Sequence, residues 1–411
     1  MAPEHPEPRL SLSKPVLATL YAGMFFFVPI EIAPVNTLII LAVLFWATSK
    51  NIHQKTQRIL KHPITWFSWG YFGLHALSLA WTSDYSWGIT MLSRSSIFLL
   101  LPILVDAYPK GYEGVHITSF IAGATLAAIV TIALYIQQTL IYNTPVILLI
   151  DNYRLISPWQ SRIIQGPISA LAAYISLWLS ISNKRFATNK KLFLLIAFTI
   201  LSANIFILNG RAGMAAYLAL LIVAITLRSK LHKAISLAIG ITISTIVLAT
   251  AYHTSEGIQH RINDMAEGIQ KQSCHSNEST TLRLTWTINS IRVFLKHPAY
   301  GVGIGDFPRE YERANLKYTP SCPKTHHPHN QYAFIAAYLG IPGLIMLVGL
   351  IWGPVFLATS KQSPFRFLAF PLAIFFTIIF FAEDYLWRPN TATVLSLFYT
   401  MIYSRPELAE P

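Results

Sequence analysis

The chain has 411 residues, 53% of them hydrophobic and only 12% charged, with a mean hydropathy of +0.47. No soluble domain of that size has an interior large enough to hide so much apolar surface, so a soluble globular protein is excluded. A formal net charge of +13 would suit nucleic acid, but the basic residues are scattered through short gaps between apolar runs, a distribution that reads as membrane topology and gives no nucleic-acid partner.

Residues 1–14 are polar and proline-rich, and no small-residue cleavage pattern follows the first apolar run, so no removable signal peptide is expected. Apolar runs able to cross the hydrocarbon of a bilayer then fall at 15–30, 32–47, 64–81, 88–105, 115–142 and 166–181. Six more follow, at 192–208, 212–227, 234–251, 341–358, 367–381 and 391–403. The expected fold is therefore an all-α integral membrane protein with about twelve transmembrane helices. One large, extracytoplasmic helical loop separates the ninth and tenth. The corresponding divisions are 1–252 for the first nine spans, 253–328 for the loop, and 329–411 for a histidine-bearing helix with the last three spans.

Orientation follows from the lysine and arginine bias of the connecting loops. Alternate connections carry Lys50, Lys55, Arg58 and Lys61, then Lys184, Arg185, Lys190 and Lys191, then Arg228, Lys230 and Lys233, then Lys361 and Arg366. These are read as cytoplasmic, together with both termini. The short opposite connections hold only Arg154, Arg162, Arg211 and Arg388. Arg94 falls inside a run, where charge is costly, and is expected to face the bundle interior or a wet cavity.

The loop 253–328 contains both cysteines, Cys274 and Cys322, which an oxidising compartment would join. It reads as two amphipathic helices, near 255–271 and 280–295, followed by glycine-rich and proline-rich coil. In the second helix Leu282, Trp286, Ile291 and Phe294 form an apolar set that suits a membrane surface or a cap on the bundle.

Five places could carry chemistry. Asn209-Gly210-Arg211-Ala212-Gly213 is a tight outward turn whose Arg211 stands at a helix start, where the dipole opposes a cation and an anionic partner is expected; the bland alternative is a snorkelling arginine. Arg283 lies early in the amphipathic helix and by itself reads as a solvated charge. His326, His327 and His329 precede a helix; the pair three apart suggests a metal, but no flanking ligands complete a site, so none is expected. His329 near a helix start favours neutral imidazole, the form a general base needs. The run from His297 through Gly301, Gly303 and Gly305 to Phe307 lacks the ending of a phosphate-binding loop and signals a tight turn. Glu383 and Asp384, beside Trp387 and Arg388, are either an interfacial anchor or a carboxylate that orients His329.

Taken together, Gly210-Arg211-Ala212-Gly213, Arg283 with Trp286, the stretch from His297-Pro298 to Phe307, and His329-Asn330-Gln331-Tyr332 through Leu339-Gly340-Ile341-Pro342-Gly343-Leu344 resemble the O-antigen ligase and polymerase superfamily, and most closely its ligases. The resemblance covers roughly the second half of the chain. It implies a Gram-negative inner-membrane glycosyltransferase of lipopolysaccharide biosynthesis with a periplasmic site. The donor would be an undecaprenyl-pyrophosphate-linked glycan and the acceptor lipid A-core. Arg211 and Arg283 would bind pyrophosphate and His329 would be the base, with Glu383 or Asp384 in support. No cofactor is implied, and no Asp-x-Asp metal motif occurs in the outward loops, so guanidinium groups are expected to do the work of a metal. An O-antigen polymerase or a protein O-oligosaccharyltransferase would share these motifs. A transporter would share the spans, but the polar candidates gather at one surface and not at the midplane.

Overall fold

The computed structural model describes residues 13–48, 52–182, 187–256, 258–260, 263, 279–357 and 366–404. Among the described residues all regular structure is helical. In chain order the helices are α1 (Ser13–Phe27), α2 (Ile32–Thr48), α3 (Ile52–Lys61), α4 (Pro63–Leu77), α5 (Tyr85–Arg94), α6 (Ser96–Ala107), α7 (Glu113–Ile136), α8 (Val146–Asp151) and α9 (Arg162–Ser182). They continue as α10 (Thr188–Ile207), α11 (Arg211–Arg228), α12 (Lys233–Thr254), α13 (Ser279–Lys296), α14 (Phe307–Tyr318), α15 (Gln331–Leu357), α16 (Arg366–Ile379) and α17 (Pro389–Tyr403).

Seven helical segments among the described residues are long and apolar enough to cross a membrane, or eight if the bent pair α2 and α3 is one span. Two further apolar helices, Lys14–Phe27 and Phe367–Ile379, are shorter. Burial separates centre from rim. Every residue of α17 from Asn390 to Tyr403 is buried, as expected of a helix surrounded by others. In α12, by contrast, Ile235, Leu237, Ile239, Ile241, Ile243 and Ile246 are exposed. An apolar face of that extent is at home only in lipid. α12 meets the bundle along one line, where Gly240 lets it approach Ile222 of α11. The protein is a multi-pass membrane protein.

The connections gather at two ends. At one end Asp106 accepts from Arg58 Nε and from Trp46 Nε1, each at 2.8 Å. Arg228 donates to the Ile181 carbonyl at 3.1 Å, and His62 bonds the Tyr403 carbonyl at 2.9 Å. Lys55 belongs to this end; Lys50, Lys184, Arg185 and Lys361 lie outside the described residues. At the other end Gln160 donates to the Val28 carbonyl at 3.0 Å, Tyr385 donates to the Ile163 carbonyl at 2.8 Å, and Ser83 and Asp84 donate their backbone N–H groups to Asp306 at 2.9 and 3.0 Å. The segment after α12 lies at this second end.

Several expectations are corrected here. The expected helix at 255–271 lies mostly outside the described residues. The second amphipathic helix is α13, but Ile291 is 42% exposed. Its inner stripe runs instead through Leu282, Asn289, Ser290 and Val293, because Asn289 is held by the Thr319 hydroxyl at 2.7 Å. Beyond it the chain is not all coil: α14 forms at 307–318, with proline in its first turn, Glu310 in the first turn and Lys317 in the last, all favourable to the helix dipole. Cys322 is disulfide-bonded; Cys274, the other cysteine of the chain, lies outside the described residues. Arg94 does not point into the bundle; it is exposed, with its guanidinium 4.3 Å over the ring of Trp387.

The glycine-rich run is a seam. Gly301 and Gly303 have φ of +70° and +92°, and a Cβ on Gly301 would come within 2.3 Å of the Tyr338 backbone. The run is thereby pressed between α15 and the 78–84 turn, with the Gly305 N–H on the Thr82 hydroxyl at 3.2 Å. α15 itself breaks at Gly340, whose φ is 65°.

Candidate active site

The turn between α16 and α17 is fastened to the start of α15. Gln331 N–H donates to the Phe380 carbonyl at 2.8 Å, and Gln331 Oε1 accepts from the Leu386 N–H at 2.8 Å. Asn330 caps α15, its side-chain oxygen accepting from Ala333 N–H at 3.0 Å. This pairing lays two fully buried carboxylates, Glu383 and Asp384, under the histidine run.

The two adjacent acids have separate partners. Asp384 Oδ2 lies 2.8 Å from His327 Nδ1 and accepts the His329 N–H at 3.1 Å, while Oδ1 accepts the Asn330 N–H at 3.1 Å. Glu383 Oε2 lies 2.8 Å from His329 Nδ1. His329 has a φ of 54°, a left-handed conformation that costs a residue with a Cβ roughly 1–2 kcal/mol. The Asp384 carboxylate on its N–H and the Glu383 carboxylate on its ring over-determine that conformation. Trp286 of α13 stacks on the imidazole, with centroids 5.1 Å apart and planes at 24°. Nδ1 is thus engaged, and Nε2 makes no hydrogen bond among the described residues.

Two guanidinium groups complete the charge set. Arg388 Nη2 lies 3.2 Å and Arg283 Nη2 3.8 Å from Glu383 Oε2, and Arg283 Nη1 donates to the Ala382 carbonyl at 2.9 Å. Burial alone would raise the Glu383 pKa. The hydrogen bond from His329, with the charges of Arg388, His329 and Arg283, overcomes it and holds the group down at about 2. An ionised carboxylate on Nδ1 fixes the proton there and presents Nε2 as the basic nitrogen.

His327, His329 and Glu383 offer three ligand atoms within 4.8 Å of one another, which is a metal-like spacing. The donor set nevertheless suits a cation poorly. The shared carboxylate already faces two guanidiniums, and each Nδ1 is spent on a carboxylate.

Arg211 opens α11. Its turn, with Asn209 at a φ of 50°, packs on the start of α9: a Cβ on Gly210 would sit 3.2 Å from the Arg162 carbonyl, and Gly213 abuts Gly166. The next carbonyl, of Ile163, receives the Tyr385 hydroxyl at 2.8 Å. The structure therefore brings His329, Glu383, Asp384 and Arg283 together directly and links Arg211 to them through α9. Arg283 is no free surface charge, since its side chain is 27% exposed and tied to the 382–383 backbone and carboxylate.

Residues 194–348 match the family model described as O-Antigen ligase. That segment, 155 of the 411 residues, is similar to the O-antigen ligase superfamily. A search of curated proteins finds no match. The matched segment includes Arg211, Arg283, Trp286 and His329 but ends before Glu383, Asp384 and Arg388, so the carboxylate half of the candidate site comes from the last helical pair. Two of its members escaped the sequence reading. Arg388 was taken as an interfacial anchor beside Trp387, and the spacing of five from Glu383 was the signal available. His327, one of three histidines before the helix, is fixed by Asp384 and by Trp387, with ring centroids 4.7 Å apart.

Proposed function

We propose that the protein is an O-antigen ligase, transferring glycan from undecaprenyl pyrophosphate to a sugar hydroxyl of lipid A-core in the Gram-negative inner membrane. The observation that carries the reading is the His329 ring, bonded through Nδ1 to a buried ionised carboxylate, with Nε2 open and two guanidiniums at its side. The end bearing this site, whose short loops hold only Arg154, Arg162, Arg211 and Arg388, is assigned to the periplasm, and both termini to the cytoplasm, by the charge bias of the short loops. Twelve passes remain part of this proposal; among the described residues seven helical segments, or eight with the bent pair, are long and apolar enough to cross, with two shorter apolar helices beside them.

In the proposed reaction His329 Nε2 takes the proton of the acceptor hydroxyl as its oxygen bonds to the anomeric carbon. The bond from that carbon to the pyrophosphate oxygen breaks, and undecaprenyl pyrophosphate leaves with the electron pair. Attack opposite the leaving group inverts the anomeric configuration. Glu383 keeps the tautomer and stabilises the imidazolium that forms, in the manner of a base-orienting carboxylate. Arg211 and Arg283 bind the pyrophosphate and offset its developing charge, as guanidinium forks suit phosphate oxygens. No metal is required, because the guanidiniums occupy that role, and no nucleotide, because the pyrophosphate linkage stores the driving energy.

The test is purified protein supplied with the lipid-linked donor and, separately, lipid A-core, a second lipid-linked glycan, and a serine- or threonine-bearing protein. Transfer to lipid A-core, abolished or severely reduced in His329→Ala with donor binding retained, is the expected result. Transfer only to the second glycan would make the enzyme a polymerase, and transfer only to protein an oligosaccharyltransferase. Near wild-type turnover by folded His329→Ala would remove the base from the mechanism.

A further inference from the structure

Beside the site lies a cavity of about 440 Å³ whose lining includes Glu31, Arg154, Trp159, Gln160, Ser161 and Arg388. It is continuous with the proposed reaction centre through Arg388, whose Nη2 holds Glu383. Its size falls in the range of small-molecule sites, and its lining, an aromatic face with a few fixed polar groups, is the usual composition of one.

Three buried polar atoms in this wall have no hydrogen-bond partner among the described residues: Gln160 Oε1, Ser161 Oγ and Arg388 Nε. Gln160 is only 6% exposed, and its amide nitrogen is already committed to the Val28 carbonyl at 3.0 Å. Buried polar atoms are nearly always satisfied; these three have under 1 Å² of accessible surface each, so they lie just behind the cavity surface and make its wall polar. The set includes an acceptor, a hydroxyl that serves both ways and a donor, with the Glu31 carboxylate nearby. A phosphate, which offers only acceptors, would suit Arg154 and Arg388 but would meet Glu31, whereas a ring bearing several hydroxyls can donate to the carboxylate and accept from the guanidiniums.

The cavity wall at Ser161 runs directly into the first turn of α9, where the Arg162 carbonyl meets Gly210 and so carries the turn that presents Arg211. The geometry points to a subsite for the donor's sugar, the ring joined to the pyrophosphate, with Trp159 as its apolar platform and Arg154, Gln160 and Arg388 as its polar contacts. This assignment rests on the proposed transferase reading for the presence of a lipid-linked donor. It adds that the enzyme grips that donor by sugar as well as by pyrophosphate.

The experiment measures binding of two probes to the full-length protein in lipid nanodiscs: undecaprenyl pyrophosphate, and the same lipid carrying one hexose. Trp159→Ala and Arg154→Gln are the variants, chosen because both side chains are exposed at the cavity and neither belongs to the reaction centre. Each is expected to weaken binding of the sugar-bearing lipid about tenfold while leaving the bare lipid pyrophosphate unchanged. Equal weakening for both probes would make the cavity an anion site and overturn the subsite, as would no weakening for either. Wild-type protein that bound both probes equally well would overturn the subsite alone. Wild-type protein that bound neither would overturn the transferase reading with it.

Discussion

Replacement of Glu383 by glutamine keeps the shape of the side chain and removes its charge. In the native site this carboxylate lies 2.8 Å from His329 Nδ1, with Arg388 at 3.2 Å and Arg283 at 3.8 Å. A hydrogen bond to a charged group contributes about 1.5–3 kcal/mol, and all of that is available to the imidazolium that forms as the acceptor is deprotonated. At roughly 1.4 kcal/mol per factor of ten, Glu383→Gln should slow transfer about 10–150-fold. Glu383→Asp poses the complementary test. It keeps the charge but draws the carboxylate back by about 1.5 Å, one carbon–carbon bond, which carries it beyond hydrogen-bond range. Both variants should lose turnover while binding lipid-linked donor nearly as wild type. The assay is single-turnover transfer at saturating donor, with donor binding measured separately. Wild-type turnover in folded Glu383→Gln would refute the reasoning, since the carboxylate would then neither set the tautomer nor stabilise the charge.

His327→Ala removes a ring hydrogen-bonded to Asp384 and 3.8 Å from Glu383 Oε1, while the 2.8 Å bond between Glu383 and His329 stays, so its loss of turnover should fall well below the roughly 10²–10⁴-fold expected of a positioned base at His329; the same transfer assay compares them. Gly301→Ala forces a Cβ to within 2.3 Å of the Tyr338 backbone at a φ of +70°, and should lower the unfolding temperature in detergent, since such a contact and the left-handed conformation together cost more than about 1 kcal/mol. Glu383 is held down at about 2 although burial opposes it. A carboxylate so depressed contributes stability that is fully present above its ordinary value of 4.5 and is lost as pH falls through about 2; acid unfolding of wild type should therefore be steeper in that window than that of Glu383→Gln. Joining Cys322 to the other cysteine would close a loop of about fifty residues, worth roughly 4 kcal/mol in the chain-entropy account, so Cys322→Ser should destabilise the protein without altering donor specificity, read by thermal unfolding and by peptide mapping without reductant.

The alternation of apolar runs and basic gaps was legible because lipid imposes it on every pass, and most expected runs coincide with helices to within a few residues. The departures are local. The run at 88–105 is divided at Ser95 into α5 and α6, and the helix at 307–318 was hidden by low hydropathy, since half of its face is solvent. The histidine and both arginines could be singled out because a charge or a titrating ring at a membrane surface is conspicuous. The choice between Glu383 and Asp384 could not be made, because neighbours in sequence differ only by which way a turn aims them. That direction is set by bonds such as Gln331 to Phe380 and Leu386, fifty residues away in the chain. Arg388 was passed over for the same reason: its role exists only once Glu383 is beneath it.

The seam between the 78–84 turn and the glycine run bears on modularity. Asp306 is 3% exposed, and its carboxylate takes N–H groups from Ser83 and Asp84, residues far outside the segment that matches the ligase family. Ser78 and Thr82 likewise supply the oxygens that receive the Ile304 and Gly305 N–H groups. The matched segment is therefore not a transplantable unit. Grafted onto another bundle it would leave Asp306 only Arg309 as partner and two backbone donors with nothing to meet them, and the glycine seam against α15 would lose its footing before the histidine itself was touched.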